Sequence, residues 1–223
     1  MKTSIGSWAY TIGPYGDKPV DFETVCEKLS RLGFDAVELG SFAPHPNPDD
    51  LDTKEKRQAA VEKLKTYGLE FSGIAANLWG EKLVNTDDTS KYISEFNRNC
   101  EFSVDMGIKM VRVDTVQGPT VFKDENIDQD KAMQQVIDTW KECSDIAAEY
   151  DLKVTWEAEP GFAFNKPSEI IKILEAMKEK SNFGYLYDTC HAQMIAVVGA
   201  RQEGEKEVFP DQLDFLKLVG PYI

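Results

Sequence analysis

Apolar and polar residues follow two repeating patterns along this chain. One pattern places apolar residues at i, i+3, i+4 and i+7, as at Phe22, Val25, Cys26 and Leu29, and it predicts amphipathic helices. The other pattern is a short apolar run after each helix, which is typical of parallel strands buried on both faces. The predicted helices span residues 20–32, 53–67, 88–106, 128–149, 167–180 and, with a weaker pattern, 208–219. The predicted strands span residues 4–9, 35–39, 69–76, 108–114, 152–158 and 183–188.

Five of the helix-to-strand junctions contain a residue that tolerates a left-handed backbone. They are Gly33-Phe34, Gly68-Leu69, Gly107-Ile108, Asp151-Leu152 and Asn182-Phe183. Gly, Asp and Asn adopt positive φ at low cost, so each can close a helix and turn the chain into a strand. Strict alternation of strands and helices predicts an α/β fold, either a (β/α)8 TIM barrel or a doubly wound sheet. Since no GxGxxG or phosphate-binding loop follows the first strand, we expect the barrel.

The number of β/α units is smaller than a full barrel requires. Six units are visible in the 223 residues, and Val219-Gly220-Pro221-Tyr222-Ile223 resembles a further helix-to-strand junction. Two more units of about 35 residues each would give the usual barrel length. We therefore expect one domain over residues 1–223 that holds about six of eight units and lacks the C-terminal part. Either a longer natural chain or another chain would complete it.

Composition narrows the classes of function. The net charge of −14 opposes binding to nucleic acid, because polyphosphates are held mainly by Lys and Arg. The sequence contains no apolar run of 18 residues and no signal-peptide pattern, which predicts a cytoplasmic protein that does not contact a membrane. The cysteines form no CxxC pair, so we expect reduced thiols. They are Cys26, Cys100, Cys143 and Cys190.

Two predicted strands finish in acidic residues. Glu157 and Glu159 end the fifth strand, and Asp188 and His191 follow the sixth. The C-terminal ends of parallel barrel strands meet at one site, so these side chains should converge. Carboxylates with one or two imidazoles suit Mn, Mg or Co, whereas a thiolate-rich set would indicate Zn. The sequence therefore predicts a divalent-metal site that favours Mn, Mg or Co over Zn.

These strand ends resemble those of a known family. Gly33 to Leu39 is similar to the second strand of the xylose isomerase-like TIM barrel superfamily of sugar phosphate isomerases and epimerases, and Leu152 to Glu157 is similar to its fifth strand. Asp188-Thr189-Cys190-His191 resembles the Asp-Thr-x-His at the end of its sixth strand. The resemblance implies that Glu157 is a metal ligand and catalytic acid/base, that Asp188 is a metal ligand, and that His191 contacts substrate oxygens. It also implies that a further His and Glu ligand would lie beyond Ile223.

The reaction expected from this resemblance is isomerisation or epimerisation of a small carbohydrate. A base removes the proton next to a carbonyl, and a divalent metal stabilises the enediolate. A dehydratase or lyase on a keto-sugar or inosose shares this first step and stays an alternative. A non-catalytic sugar-binding or partner-completed barrel is another alternative, and a homo-oligomer is left open. The zinc endonucleases of the same fold need many histidines, whereas this chain has 2.

Several candidate residues have more than one interpretation. Glu159 has the same strand parity as Glu157 and is the alternative metal ligand, and both can instead form salt bridges. Asp188 can also act simply as a helix N-cap, and His191 as a loop histidine. Large aromatic side chains such as Trp8 can stack on a sugar or pack in the core, and Glu38 can bind a hydroxyl, orient His45 or pair with Arg112. The candidate substrate-binding residues are His191, Glu159, Trp8, Glu38, His45, Asn77 and Arg112.

Overall fold

The structure is a computed structural model that describes residues 2–223 and contains two compact units. The first unit comprises the residues up to Asn77 together with Phe96–Arg112 and Tyr150–Leu152. The second unit comprises Leu78–Glu95, Val113–Glu149 and Lys153–Ile223. That residues 1–223 form one domain stays a prediction.

Strands and helices alternate along the described residues. The strands are β1 (Ser4–Gly6), β2 (Ala36–Gly40), β3 (Glu70–Ala75), β4 (Met110–Val113), β5 (Lys153–Trp156) and β6 (Phe183–Tyr185). The helices are α1 (Phe22–Leu32), α2 (Lys54–Thr66), α3 (Ser90–Asp105), α4 (Val121–Asp124), α5 (Gln129–Glu149), α6 (Pro167–Met177), α7 (Thr189–Gln193) and α8 (Gln212–Val219). Short 3-10 turns lie at Ser7–Tyr10, Gly13–Tyr15 and Gly220–Tyr222, and a π-helical turn at Met194–Val198 follows α7.

The strands are parallel and follow the chain order β1 to β6 in the sheet. In the first unit β1 pairs with β2, β2 with β3, and β3 with β4, with a bulge between Val37 and Glu38. In the second unit β5 pairs with β6, so that Thr155 lies opposite Gly184. An α/β fold with a six-stranded parallel sheet over residues 2–223 confirms the predicted fold class.

All six predicted strands and all six predicted helices are present among the described residues, although most are shorter at one or both ends. The sequence patterns missed α4 and α7, because one or two turns of helix are too short to show a period. Four of the five junction residues have positive φ, as predicted: Gly33 (79°), Gly68 (72°), Gly107 (71°) and Asp151 (56°).

The prediction of a left-handed backbone at Asn182 was wrong. α6 ends at Met177 with a right-handed cap at Lys178, so several residues separate the helix from β6. The chain can therefore turn without positive φ at Asn182. The Asn182 amide instead donates a hydrogen bond from Nδ2 to the Ser144 carbonyl oxygen at 2.7 Å.

Each unit has its own apolar core. In the first unit α1 and α2 pack on the sheet through Val25, Cys26, Leu29, Val37 and Leu64, which are all buried. In the second unit two buried aromatic rings fix β5 against α5, because the Trp140 and Trp156 centroids lie 5.2 Å apart. The Trp140 indole N–H also donates to the Tyr92 hydroxyl at 3.1 Å. The end of β5, where the candidate site begins, is therefore firmly held.

Two further sequence expectations concern the cysteines and the membrane. Cys26, Cys100 and Cys143 are buried and Cys190 is exposed, and none of these four cysteines is in a disulfide. Within residues 2–223, every helix is too short or too polar to cross a membrane. The segment from Gly199 to Glu207 forms a loop that is anchored by the buried Gln202, whose Nε2 donates to the Ile195 carbonyl oxygen at 2.8 Å.

Candidate metal centre

The candidate site begins where β5 ends. Trp156 is the last residue of the strand, and Glu157 follows it directly with only 4% of its surface exposed. Side chains alternate between the two faces of a strand, so Glu157 points away from the aromatic core that holds Trp156 and shares a face with Thr155. The sequence therefore places a buried carboxylate at the C-terminal end of the strand.

Asp188 follows the end of β6 and starts the short helix α7. Its Oδ1 accepts a hydrogen bond from the His191 backbone N–H at 2.7 Å, which is the usual N-cap contact. The cap closes one turn of helix and brings His191 back towards the strand end. The helix N-cap predicted as an alternative role for Asp188 is thus present, and it also positions the histidine.

Glu157, Asp188 and His191 form a compact cluster in the second unit. One ligand atom from each residue lies within 4.8 Å of the other two. His191 Nδ1 is 3.4 Å from Glu157 Oε1, which is an ion-pair distance, and this nitrogen is buried without a hydrogen-bond partner. Across the described residues this is the one such group of potential ligands that was found.

The carboxylates of the site favour a charged imidazole. The interaction with Glu157 is the main reason that the pKa of His191 is raised above its usual value of 6.5, while partial burial opposes the shift. Glu159 and Asp188 raise the pKa further through their negative charge. When no metal is bound, a protonated His191 therefore places a positive charge among three carboxylates.

The cluster has the chemistry of a divalent-metal site. Two carboxylates and an imidazole are common ligands of Mn, Co and Zn, and metal–oxygen and metal–nitrogen bonds are about 2.0–2.3 Å long. Ligand atoms within 4.8 Å of one another can share one cation at such distances. The buried Nδ1 of His191, which faces Glu157 Oε1 at 3.4 Å but makes no hydrogen bond, also indicates a position that a ligand or a proton should fill. The residues therefore fit a bound divalent cation.

The cluster contains Glu157 and does not contain the alternative Glu159. Glu159 lies two residues beyond the buried carboxylate and is partly exposed, and its carbonyl oxygen accepts the Phe162 N–H in a turn. Its charge still acts on His191, as described above. The preference for Glu157 as the ligand stays a prediction that this geometry favours.

The candidates in the first unit fall into separate places. Trp8, Glu38 and Arg112 come together: the Trp8 indole N–H donates to Glu38 Oε2 at 3.3 Å, and the Arg112 guanidinium lies 5.9 Å from the Trp8 ring. His45 is buried, with its Nε2 2.9 Å from the Val20 carbonyl oxygen. Asn77 is exposed shortly after β3. Substrate binding by these five residues stays a prediction.

One residue that the sequence analysis missed is Thr155. Its Oγ1 is buried without a hydrogen-bond partner, and it lies on the same face of β5 as Glu157. Strand parity could have identified it, because the period of two that selects Glu157 also selects the residue two positions earlier.

The match to a family of known proteins covers most of the chain. A model described as "Xylose isomerase-like TIM barrel" matches residues 26–219. The chain belongs to this xylose isomerase-like family. The predicted relationship, and with it the barrel-type α/β fold, is therefore confirmed.

Two curated relatives are inosose dehydratases. The protein of Glaesserella parasuis serovar 5 is 25% identical over 190 residues, covering 79% of this chain and 59% of the relative. The protein of Lactiplantibacillus plantarum is 25% identical over 181 residues, covering 78% of this chain and 55% of the relative. The chain thus spans between half and two thirds of the length of these relatives.

Solved structures of the same fold include sugar enzymes. A putative xylose isomerase from Rhodospirillum rubrum superposes with a TM-score of 0.75 at 13% identity, covering 100% of this chain and 75% of the other. D-psicose 3-epimerase from Clostridium cellulolyticum superposes with a TM-score of 0.69 at 14% identity, covering 100% of this chain and 71% of the other. The IOLI protein, solved with a zinc atom, superposes with a TM-score of 0.68 at 19% identity, covering 86% of this chain and 64% of the other. At these identities the likeness establishes the fold alone.

Proposed function

We propose that this xylose isomerase-like chain carries the proton-transfer half of a divalent-metal-dependent sugar isomerase or epimerase. The cluster of Glu157, Asp188 and His191 is the observation that supports the proposal. The substrate class is a small polyhydroxylated carbonyl compound, in keeping with the sugar enzymes that share the family fold.

Glu157 is the proposed base. It removes the proton from the carbon next to the substrate carbonyl, and the electron pair of the C–H bond moves to give an enediolate. In an isomerase the proton returns to the neighbouring carbon, and in an epimerase a proton returns to the opposite face of the same carbon. Because Glu157 is buried, few water molecules can reach its carboxylate, and this favours proton transfer to and from the substrate.

His191 is the proposed partner of the substrate oxygens. The imidazole can donate a hydrogen bond, or a proton when it is charged, to an oxygen that gains negative charge. Asp188 fixes its backbone through the N-cap contact at 2.7 Å. We propose Glu159, Trp8, Glu38, Asn77 and Arg112 as further substrate-binding residues, although the cluster does not include them.

Glu157 and Asp188 are the residues that would hold the metal. A bound divalent cation supplies Lewis-acid polarisation of the substrate oxygens. Carboxylate ligands favour Mn, Mg or Co, and the exposed Cys190 beside His191 does not make the site thiolate-rich. The zinc in the IOLI structure makes Zn the second choice to test.

A dehydratase is the second candidate, because the curated relatives are inosose dehydratases at 25% identity. The first step is the same removal of a proton by Glu157. The enediolate then expels a hydroxyl from the next carbon, and a proton from His191 makes it leave as water. The reaction is balanced without any oxidant or reductant.

The test is solvent deuterium exchange. The chain is loaded with Mn2+ and incubated in D2O with candidate ketoses and with an inosose, and carbon-bound deuterium and loss of water are followed by NMR and mass spectrometry. Exchange without loss of water indicates an isomerase or epimerase, and exchange with loss of water indicates a dehydratase. Absence of exchange with every compound would contradict the proposal for this chain.

Glu157→Gln and Glu159→Gln are the matched variants for this experiment. Glu157→Gln should lower exchange by at least about 100-fold, because it removes the general base. Glu159→Gln should lower it far less. The reverse result would assign the base to Glu159.

A further inference from the structure

Trp79 is an exposed aromatic residue in the second unit, which also holds the metal centre. Its surface is 51% exposed, whereas Trp140 and Trp156 of the same unit are buried. Trp79 follows the end of β3 within a few residues, so it lies in the loop that leaves the C-terminal end of a parallel strand. In barrel enzymes the loops at this end of the strands bind the substrate.

The exposed indole is held in place by a buried carboxylate. The Trp79 Nε1–H donates to Asp114 Oδ2 at 3.2 Å. Asp114 directly follows β4 and is 3% exposed, and its Oδ1 accepts the Val116 N–H at 2.9 Å. The buried Tyr92 hydroxyl donates to the Asp114 carbonyl oxygen at 3.2 Å. The carboxylate is thus fixed by its own contacts, and it fixes the orientation of an aromatic ring that half faces solvent.

The turn that supports the indole is strained. Val116 has a φ of 64°, a left-handed conformation that a β-branched side chain rarely adopts. Backbone strain of this kind persists only where surrounding contacts enforce it, and it is concentrated at functional sites. The contact between Asp114 and the Val116 N–H is one of the contacts that enforce it.

The same turn is bonded to the loop that begins at the proposed base. Thr115 Oγ1 donates to the Ala163 carbonyl oxygen at 3.0 Å, and the Ala163 N–H donates to the Gln117 carbonyl oxygen at 2.8 Å. Ala163 lies in the segment between β5 and α6, which starts with Glu157. The turn that supports Trp79 and the loop that carries Glu157 are therefore joined at the C-terminal ends of the strands.

An aromatic face that is held in one orientation can recognise the C–H groups of a polyhydroxylated ring. The face of the indole carries partial negative charge, and the C–H hydrogens beside hydroxyl groups carry partial positive charge. A six-membered ring with equatorial hydroxyls presents only axial C–H groups on its faces. An axial hydroxyl interrupts such a face, and an open chain has no fixed face.

We propose that Trp79 packs against the C–H face of a cyclic polyhydroxylated substrate, and that Asp114 is its positioning residue. The inference rests on the function proposed above, and it narrows the substrate class to rings that keep one face free of axial hydroxyls.

scyllo-Inositol and D-chiro-inositol are the matched probes, because they are stereoisomers of the same ring. All hydroxyls of scyllo-inositol are equatorial, whereas D-chiro-inositol has an axial hydroxyl on each face. Neither contains a carbonyl, so their binding does not require turnover. Affinities for the chain loaded with diamagnetic Mg2+ are measured by saturation-transfer NMR titration. scyllo-Inositol should bind roughly 3- to 10-fold more tightly, as the loss of one aromatic contact allows.

Two variants of Trp79 separate aromatic stacking from simple apolar contact. Trp79→Phe keeps an aromatic face and should keep a preference for scyllo-inositol. Trp79→Leu keeps apolar surface without an aromatic face and should bring the two affinities to within about 2-fold of each other. Equal affinities in the unmodified chain, no saturable binding of scyllo-inositol, or a preference that survives Trp79→Leu would each overturn the proposal.

Asp114→Asn tests the positioning role. Asn offers one acceptor oxygen instead of two, so it cannot accept from both the Trp79 indole and the Val116 N–H. The preference for scyllo-inositol should fall, and the Trp79 indole N–H, assigned with Trp79→Phe, should exchange faster with solvent. An unchanged preference and exchange rate would exclude Asp114 as a positioning residue.

Deuterium exchange into ketoses and an inosose is followed separately on the same samples. A chain that prefers scyllo-inositol but exchanges no deuterium would contradict the proposed function and leave the role of Trp79 in ring binding supported. A chain that exchanges deuterium without this preference would support the proposed function and overturn the role of Trp79.

Discussion

His191 and His45 are the two histidines of the chain, and their surroundings act on the imidazole in opposite directions. The His191 side chain is 28% exposed and lies near Glu157, Glu159 and Asp188, which raise its pKa. His45 is 1% exposed and packs against Phe22 at a centroid distance of 5.3 Å, and burial lowers its pKa. One environment favours the charged ring and the other the neutral ring.

The difference separates the chemistry that each region can perform. A charged imidazole among carboxylates can donate to an oxygen and exchange protons, which suits a reaction site. A neutral imidazole with one nitrogen bonded to the backbone can only accept through the other nitrogen, which suits recognition of a donor. From the sequence, both histidines are predicted to bind the same substrate. Their electrostatic settings argue for two different roles.

Replacement of His191 gives the largest expected effect on this comparison. His191→Asn should lower deuterium exchange into the substrate of the chain by about 100-fold, which is a typical loss for a group that donates a proton. The affinity for Mn2+, measured by calorimetric titration, should fall less than in Asp188→Asn, because both carboxylates proposed to hold the metal remain.

His45→Gln is the matched control, since it also replaces an imidazole with an amide. It should leave both exchange and Mn2+ affinity close to those of the unmodified chain. A loss of exchange in His45→Gln without loss of folding would restore His45 as a substrate-binding residue of the proposed reaction. A loss of Mn2+ affinity in His191→Asn as large as that in Asp188→Asn would indicate that His191 is a ligand.

Asp188→Asn is expected to have an intermediate effect, and it separates the two roles of this residue. Asn is as good an N-cap as Asp, so the contact to the His191 N–H at 2.7 Å and the thermal stability should be retained. The loss of the negative charge should lower Mn2+ affinity by about 10-fold or more in a calorimetric titration. An unchanged affinity would leave Asp188 as a cap alone.

The sequence predicted those parts of the molecule that depend on local patterns. The four positive-φ junctions and the carboxylate after β5 follow from rules that act over a few residues, such as helix closure and strand parity. The motif from Asp188 to His191 also could be interpreted locally, because the N-cap contact spans three residues. For these elements, the structure is determined by residues that lie within one or two turns of each other along the chain.

Other features depend on contacts between distant parts of the chain, and the sequence could not show them. His45 lies in a loop, and only the position of Val20, 25 residues earlier, determines which nitrogen is bonded. The sequence predicts a left-handed junction at Asn182, but its side-chain amide donates a hydrogen bond to the carbonyl oxygen of Ser144, 38 residues away. The lack of a hydrogen-bond partner for Thr155 Oγ1 is likewise a property of the packed sheet.

The smallest expected effect is a pH dependence of stability that distinguishes His45 from His191. Since burial lowers the pKa of His45, the unfolded chain binds the proton more tightly than the folded chain does. The contribution is fully present above the unfolded pKa of about 6.5 and is lost as the pH falls below it towards the folded value. In metal-free protein the contribution of His191 to stability changes with pH in the opposite direction, because its pKa is raised and its contribution is lost as the pH rises.

The free energy of unfolding of the metal-free chain and of metal-free His45→Gln should therefore be compared by urea denaturation between pH 7.5 and 5.5. The unmodified chain should lose stability relative to the variant as the pH falls, and His191→Asn, compared in the same way, should give the opposite slope. Two slopes of the same sign would show that the surroundings of the two rings do not differ in the way that the structure indicates.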